Sequence, residues 1–279
     1  MTYIEAIIFG IVQGITEFLP VSSTAHIIIA ELIMGFHFPG LAFEIFLHQA
    51  SLLAILIYYR KDLWQITTGF FSYFKEKNQA NKVHFYFGLY IIVATIITGG
   101  LGILLVGLVT DVMKTPAFIS AALVVTGILL ILIERFKVYG DRTEKDMTFF
   151  DSIIVGLAQT MAVIPGLSRS GLTLVAGLWL GLSRETAVKY SFLLIIPVIL
   201  GSSVLAFNDI NSDMWAEIGY GPLAVTFITT VIFSFIGIAW VMDFLKKSRL
   251  VYFAIYCFIV AALVYLFLDP TVPLEELHL

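Results

Sequence analysis

Cysteine occurs once in these 279 residues, as Cys257 in an apolar segment, which excludes an intrachain disulfide and any multi-cysteine metal centre. Charge is almost as scarce: Asp, Glu, Lys and Arg make up 13% of the chain against 59% hydrophobic residues. With a mean hydropathy of +0.98 and apolar runs along the whole length, this is the composition of an integral membrane protein. No Lys or Arg precedes Arg60, and Glu5, Gln13 and Glu17 interrupt the first apolar stretch, so no cleavable signal peptide is expected and the N-terminus should be kept. The net charge of −4 singles out no partner, and no nucleic acid is expected. With the bilayer as solvent the useful count is of spanning segments, within one polytopic membrane domain over residues 1–279.

Six segments have the roughly 20 mainly apolar residues that a crossing helix needs, near 42–60, 84–107, 117–135, 186–207, 220–245 and 250–268. Two further regions, 4–36 and 149–182, are apolar at both ends and broken in the middle, by FLPVSSTAH and by IPGLSRSG. Such breaks free backbone groups that lipid cannot satisfy and are tolerated only against protein or a water-filled cavity. They read as two re-entrant helical hairpins. Fourteen of the 16 basic residues then fall on one side: Arg60, Lys61, Lys75, Lys77, Lys82, Arg135, Lys137, Arg142, Lys145, Arg184, Lys189, Lys246, Lys247 and Arg249. The positive-inside rule makes that side the cytoplasm. The opposite loops carry Asp111, Asp209, Asp213, Glu217, Asp269, Glu275 and Glu276, with Lys114 as their only base.

Gly10-x-x-Gln13 followed by Pro20-x-Ser22 parallels Gly156-x-x-Gln159 followed by Pro165-x-x-Ser168. Each hairpin would enter from the opposite face. The expected fold is therefore all-α, with six transmembrane helices and two re-entrant hairpins in an inverted-topology repeat, its halves being about 1–135 and 136–279. In such repeats, sites form where discontinuous helices meet near mid-membrane.

The chemistry lies in the two breaks. Gln13 and Glu17 are four residues apart and share a helix face, where a carboxylate and an amide oxygen can hold Mg²⁺ or Ca²⁺. The alternative is a buried Glu17 bonded to the opposite loop. Ser22, Ser23 and Thr24 stand at the start of a half-helix, where one hydroxyl is explained by capping but three are not. His26 follows Ser23 by three residues, a spacing that lets imidazole assist a hydroxyl nucleophile or attack for itself. In Pro165-Gly166-Leu-Ser168-Arg169-Ser170-Gly171, small residues open the backbone, a helix N-terminus follows, and Arg169 offers a bidentate fork. That combination suits phosphate, while a structural Arg169–Glu17 pair is the competing reading. Glu44 and His48, at helical spacing, could support the site from behind, with a satisfied buried pair the preferred reading, and Asp151 and Asp243 read as capping or boundary residues.

These motifs resemble those of the undecaprenyl-diphosphate phosphatases, the bacitracin-resistance family of bacterial cell-envelope enzymes. Gln13 and Glu17 match that family's first motif, with Gln13 taking the Gln option where many relatives have Glu. Ser22 to His26 match the Ser-Ser-Thr-x-His that follows, and Pro165 to Gly171 match the second motif throughout. The resemblance implies hydrolysis of a C55 polyprenyl diphosphate to the monophosphate, recycling the lipid carrier of cell-wall precursors. The enzyme would lie multi-pass in the bacterial inner membrane, as a monomer or homodimer among membrane lipids, with its site opening to the outer face. Glu17 and Gln13 would then be cation ligands, and Arg169 with Ser168, Ser170, Gly166 and Gly171 the phosphate clamp. Ser22 and Thr24 would contact substrate, Ser23 would be the nucleophile and His26 its acid–base partner. An inverted-repeat transporter or lipid flippase is the alternative, and Ser-x-x-His argues against it.

Overall fold

Several of the helices begin where a side chain caps them. Thr2 accepts a hydrogen bond from the Glu5 amide (3.3 Å) while Glu5 accepts from the Thr2 amide (2.6 Å), a capping box that starts α1, Tyr3–Thr16. Ser22 caps α2, Ser23–Met34, which Gly35 ends in the left-handed conformation at φ 68°. The remaining helices are α3 (Ala42–Tyr58), α4 (Arg60–Ser72), α5 (Gln79–Val106), α6 (Pro116–Phe136), α7 (Phe149–Thr160), α8 (Arg169–Trp179), α9 (Arg184–Leu205), α10 (Tyr220–Lys247) and α11 (Val251–Phe267). A second capping box starts α7, with Thr148 as the N-cap and Asp151 as its partner in the first turn, so Asp151 has the capping role that the sequence suggests. This computed structural model describes residues 1–36, 38, 42–106, 113, 115–136, 140–205, 215–216, 218–247 and 249–268. Lys137 and all the outer-loop charges named above lie outside the described residues.

Among the described residues, α5, α6, α9 and α10 are each long and apolar enough to cross a membrane, and α3 with α4 qualifies as a bent pair, giving up to five crossings. The protein is a multi-pass membrane protein of helices. α11 has 17 residues, about 25 Å at 1.5 Å per residue, a little under a hydrocarbon core of about 30 Å. Where the two hairpins are expected the chain forms short helices, α1 with α2 and α7 with α8, four helices too short to cross alone. The first expected span, near 42–60, is α3, and beyond Tyr58 the chain turns by 75° into α4, a helix not expected from the sequence. Arg60, Lys61 and Asp62 open that helix, and three charged groups in succession cannot be carried further into lipid.

The hairpins are held by mirrored contacts. α1 packs along α10 and α7 along α5, α6 pairs with α11, and α3 with α9. Gly10 and Gly14 make the first of these close. A Cβ on Gly10 would stand 2.6 Å from Thr229 Cβ, and one on Gly14 would stand 2.7 Å from the Ser234 amide nitrogen. The main core surrounds the first break, where Phe18, Leu19 and Val21 pack with Leu174, Leu178 and Phe192. A second cluster centres on Phe9, which meets Phe43 edge-on at 5.2 Å. On the side of the basic loops, Arg142 grips Asp151 with both nitrogens (3.1 and 2.6 Å), and Lys189 bridges Asp62 and Glu144.

Candidate active site

Each hairpin breaks where a helix would need amides it does not have. After Thr16 the chain runs through Glu17-Phe-Leu-Pro20 to Ser22, which takes φ 67°, the sole positive value for a non-glycine among the described residues. Ser22 gains from that unfavourable region an oxygen aimed into the next turn: its carbonyl accepts from the His26 amide at 3.3 Å and from His26 Nδ1 at 2.7 Å. In the second break Gly166 sits at φ 87°, with Ala122 Cβ 2.9 Å from where a Cβ would be, and Ser168 caps α8 by accepting from the Gly171 amide (3.1 Å). The two breaks touch. Ser170 donates to the Leu19 carbonyl (2.7 Å), and a Cβ on Gly171 would lie 3.4 Å from Pro20 Cβ.

The first residues of α2 and α8 therefore meet on one carboxylate. Glu17 is 3% exposed. Its Oε1 accepts from Arg169, and its Oε2 accepts from Ser23 Oγ (2.6 Å) and Gln13 Nε2 (3.0 Å) and lies 3.2 Å from His48 Nε2. One buried anion thus aligns a hydroxyl, an amide, an imidazole and a guanidinium, with two helix N-termini beside it. Buried charge is tolerable only when paired and bonded in this way. Chemically, the cluster offers a hydroxyl already sharing its proton with a carboxylate, and a cation that an arriving phosphate can take over.

Other expected residues sit differently. His26 does not hold Ser23, because its Nδ1 faces the Ser22 carbonyl and its Nε2 stands 2.7 Å from the Tyr256 hydroxyl. The group beside the Ser23 hydroxyl is Glu17. His48 points its Nε2 at Glu17, so of the two readings of Glu44 and His48 the supporting role holds for His48 and the buried pair is corrected. Ser168 and Ser170 lie 3.2 Å apart and serve the junction of the breaks, and Thr24 is half-buried in the first turn of α2.

A chain with this junction is similar to known proteins over its full length. The family model described as "Bacitracin resistance protein BacA" matches residues 6–263. The chain belongs to the BacA family. It is 59% identical over 276 residues to "Undecaprenyl-diphosphatase 2" of Halalkalibacterium halodurans, covering 99% of each chain. It is 55% identical over 270 residues to "Undecaprenyl-diphosphatase 1" of Shouchella clausii, covering 96% of this chain and 98% of the relative. "Undecaprenyl-diphosphatase 3" of Bacillus anthracis is 39% identical over 265 residues, 95% of this chain and 97% of the relative.

In this BacA chain no group of three or more His, Cys, Asp or Glu side chains among the described residues could hold a metal ion. Both Glu17 oxygens are engaged, and Gln13 turns its NH₂ toward them. A hard cation asks for six or more oxygens, so these residues suit one only together with the oxygens of a diphosphate. One contact escaped the sequence reading. Tyr256 reaches the site from α11, and no spacing within the motifs points to it.

Proposed function

We propose that this chain hydrolyses undecaprenyl diphosphate to undecaprenyl phosphate and inorganic phosphate, with Ser23 as nucleophile. The observation that carries the reading is the 2.6 Å hydrogen bond from Ser23 Oγ to a Glu17 that also binds Arg169. The full-length likeness to proteins named undecaprenyl-diphosphatase supports the substrate.

In this mechanism the diphosphate competes for Arg169, whose planar fork suits phosphate oxygens. Ser168, Ser170, Gly166 and Gly171 form the turn that presents Arg169, and Ser22 and Thr24 flank the nucleophile. As the phosphate takes up that guanidinium, Glu17 Oε2 keeps the Ser23 hydroxyl and accepts its proton more readily than in the ion pair. Ser23 Oγ then attacks the terminal phosphorus as its proton passes to Glu17 Oε2, and undecaprenyl phosphate departs. Water hydrolyses the phosphoserine, and Ser23 recovers its proton from Glu17. His26 is the remaining acid–base group. A divalent cation, Mg²⁺ or Ca²⁺, carried in on the diphosphate would be held by Glu17 and Gln13 and would offset phosphate charge.

The same reading takes the helices as six crossings with two re-entrant hairpins in an inverted repeat, in the inner membrane with the site open to the outer face. The mirrored packing of α1 on α10 and α7 on α5 supports the repeat.

The deciding experiment measures phosphate release from undecaprenyl diphosphate by purified protein, with and without EDTA. Release that stops with EDTA and in Ser23→Ala, with acid-quenched label trapped on an acid-stable serine ester, is expected. Lipid movement without cleavage would favour a transporter. Label that is acid-labile and retained in Ser23→Ala would move the nucleophile to His26.

A further inference from the structure

Three consecutive residues of α11 engage three different parts of the molecule. The Cys257 thiol stands 3.8 Å from the Pro20 carbonyl in the first break. Phe258 lies over Gly127 of α6, where a Cβ would come within 2.8 Å of its ring. Tyr256, between the break and the membrane, reaches His26. Its hydroxyl is 2.7 Å from Nε2, and the two rings stack with centroids 5.5 Å apart and planes 7° from parallel. Tyr256 is 42% exposed, and its ring covers the imidazole on which it stacks.

Hydrogen-bond chemistry fixes the state of this imidazole. The Ser22 carbonyl, 2.7 Å from Nδ1, can only accept, so Nδ1 carries a proton. Among the described residues no carboxylate pairs with the ring, and its two polar neighbours are the carbonyl and the phenol. A neutral ring is then left with its lone pair on Nε2, where the Tyr256 O–H donates. Without that phenol, Nδ1 still has its acceptor, but Nε2 loses its partner and the ring its stacking surface.

We propose that Tyr256 is a positioning residue for His26: the Ser22 carbonyl holds the Nδ1–H tautomer, and the Tyr256 hydroxyl fixes the lone-pair nitrogen Nε2 at the membrane-facing wall of the site. The inference deepens the phosphatase reading and rests on it for its kinetic arm only. One neutral hydrogen bond contributes about 0.5–1.5 kcal/mol, which corresponds to roughly a three- to tenfold effect on rate.

The test uses the full chain in lipid nanodiscs with ¹⁵N-labelled histidine, the His26 signals being identified by their loss in His26→Gln. Without substrate, the parent protein should show a single Nδ1–H tautomer at His26, and in Tyr256→Phe that tautomer should hold while the Nε2 resonance shifts with the loss of its hydrogen bond. With undecaprenyl diphosphate, Tyr256→Phe should lower kcat about three- to tenfold with KM unchanged, and should have no further effect in a His26→Gln background. An unchanged His26 spectrum in Tyr256→Phe would overturn the proposal. So would a raised KM at constant kcat, which marks a contact with the lipid chain, or an equal fall in the His26→Gln background. If the parent protein releases no phosphate, the phosphatase reading fails by itself, and the comparison of Nε2 resonances still decides the role of Tyr256.

Discussion

At Glu17, four side chains from three hairpin or helix segments converge, and which of them is displaced decides what the site does. Arg169 is the one whose partner substrate can replace, since carboxylate and phosphate present similar oxygen pairs to a guanidinium. Arg169→Lys keeps the charge and loses the fork, and phosphate release by this variant should fall nearly as far as for Arg169→Ala, about 10²-fold in kcat. A fully active lysine variant would mean that charge alone suffices. Glu17, Ser23 and Arg169 were legible in the sequence because a polar group costs so much in a membrane that its presence in a broken apolar run needs a reason. The partner of Ser23 was not. Ser23 and His26 share a helix face by spacing, but the strained Ser22 turn offers His26 a nearer acceptor, and spacing carries no information about α11.

Between elements, the decisive contact is α1 on α10. Gly10 and Gly14 are four residues apart, the small-x-x-x-small pattern by which membrane helices approach closely, and Gly237 faces back with a Cβ position 2.9 Å from the Gly14 carbonyl. Gly14→Val would drive a branched side chain into the Ser234 backbone. The expected cost is about 1–3 kcal/mol from overpacking, read as a lower midpoint of thermal unfolding in detergent. Activity should fall as well, because Gln13 and Glu17 ride on the displaced end of α1. Gly99→Val, at a position with nothing within 4 Å of an added Cβ, is the control and should leave both unchanged. Most elements were readable from apolar length and breaks. α4 was not, because its exposed Trp64 and Phe71 mix with charge and give neither a spanning run nor a break.

For the molecule as a whole, the distribution of basic residues gives the orientation its test. A cysteine at Lys77, exposed in the segment between α4 and α5, should be shielded from an impermeant maleimide added to intact cells, while one at Asp213, outside the described residues, should be labelled. Reversed labelling would overturn the orientation and the inverted repeat with it. The protein's own thiol leaves this experiment quiet: Cys257 is fully buried, with its sulfur against the Pro20 carbonyl. That placement has a use beyond silence. A chain with one sulfhydryl, lodged where α11 meets the first break, carries a built-in clock. The rate at which a small lipid-soluble alkylating agent consumes Cys257 counts how often that seam parts, with no label or mutation introduced.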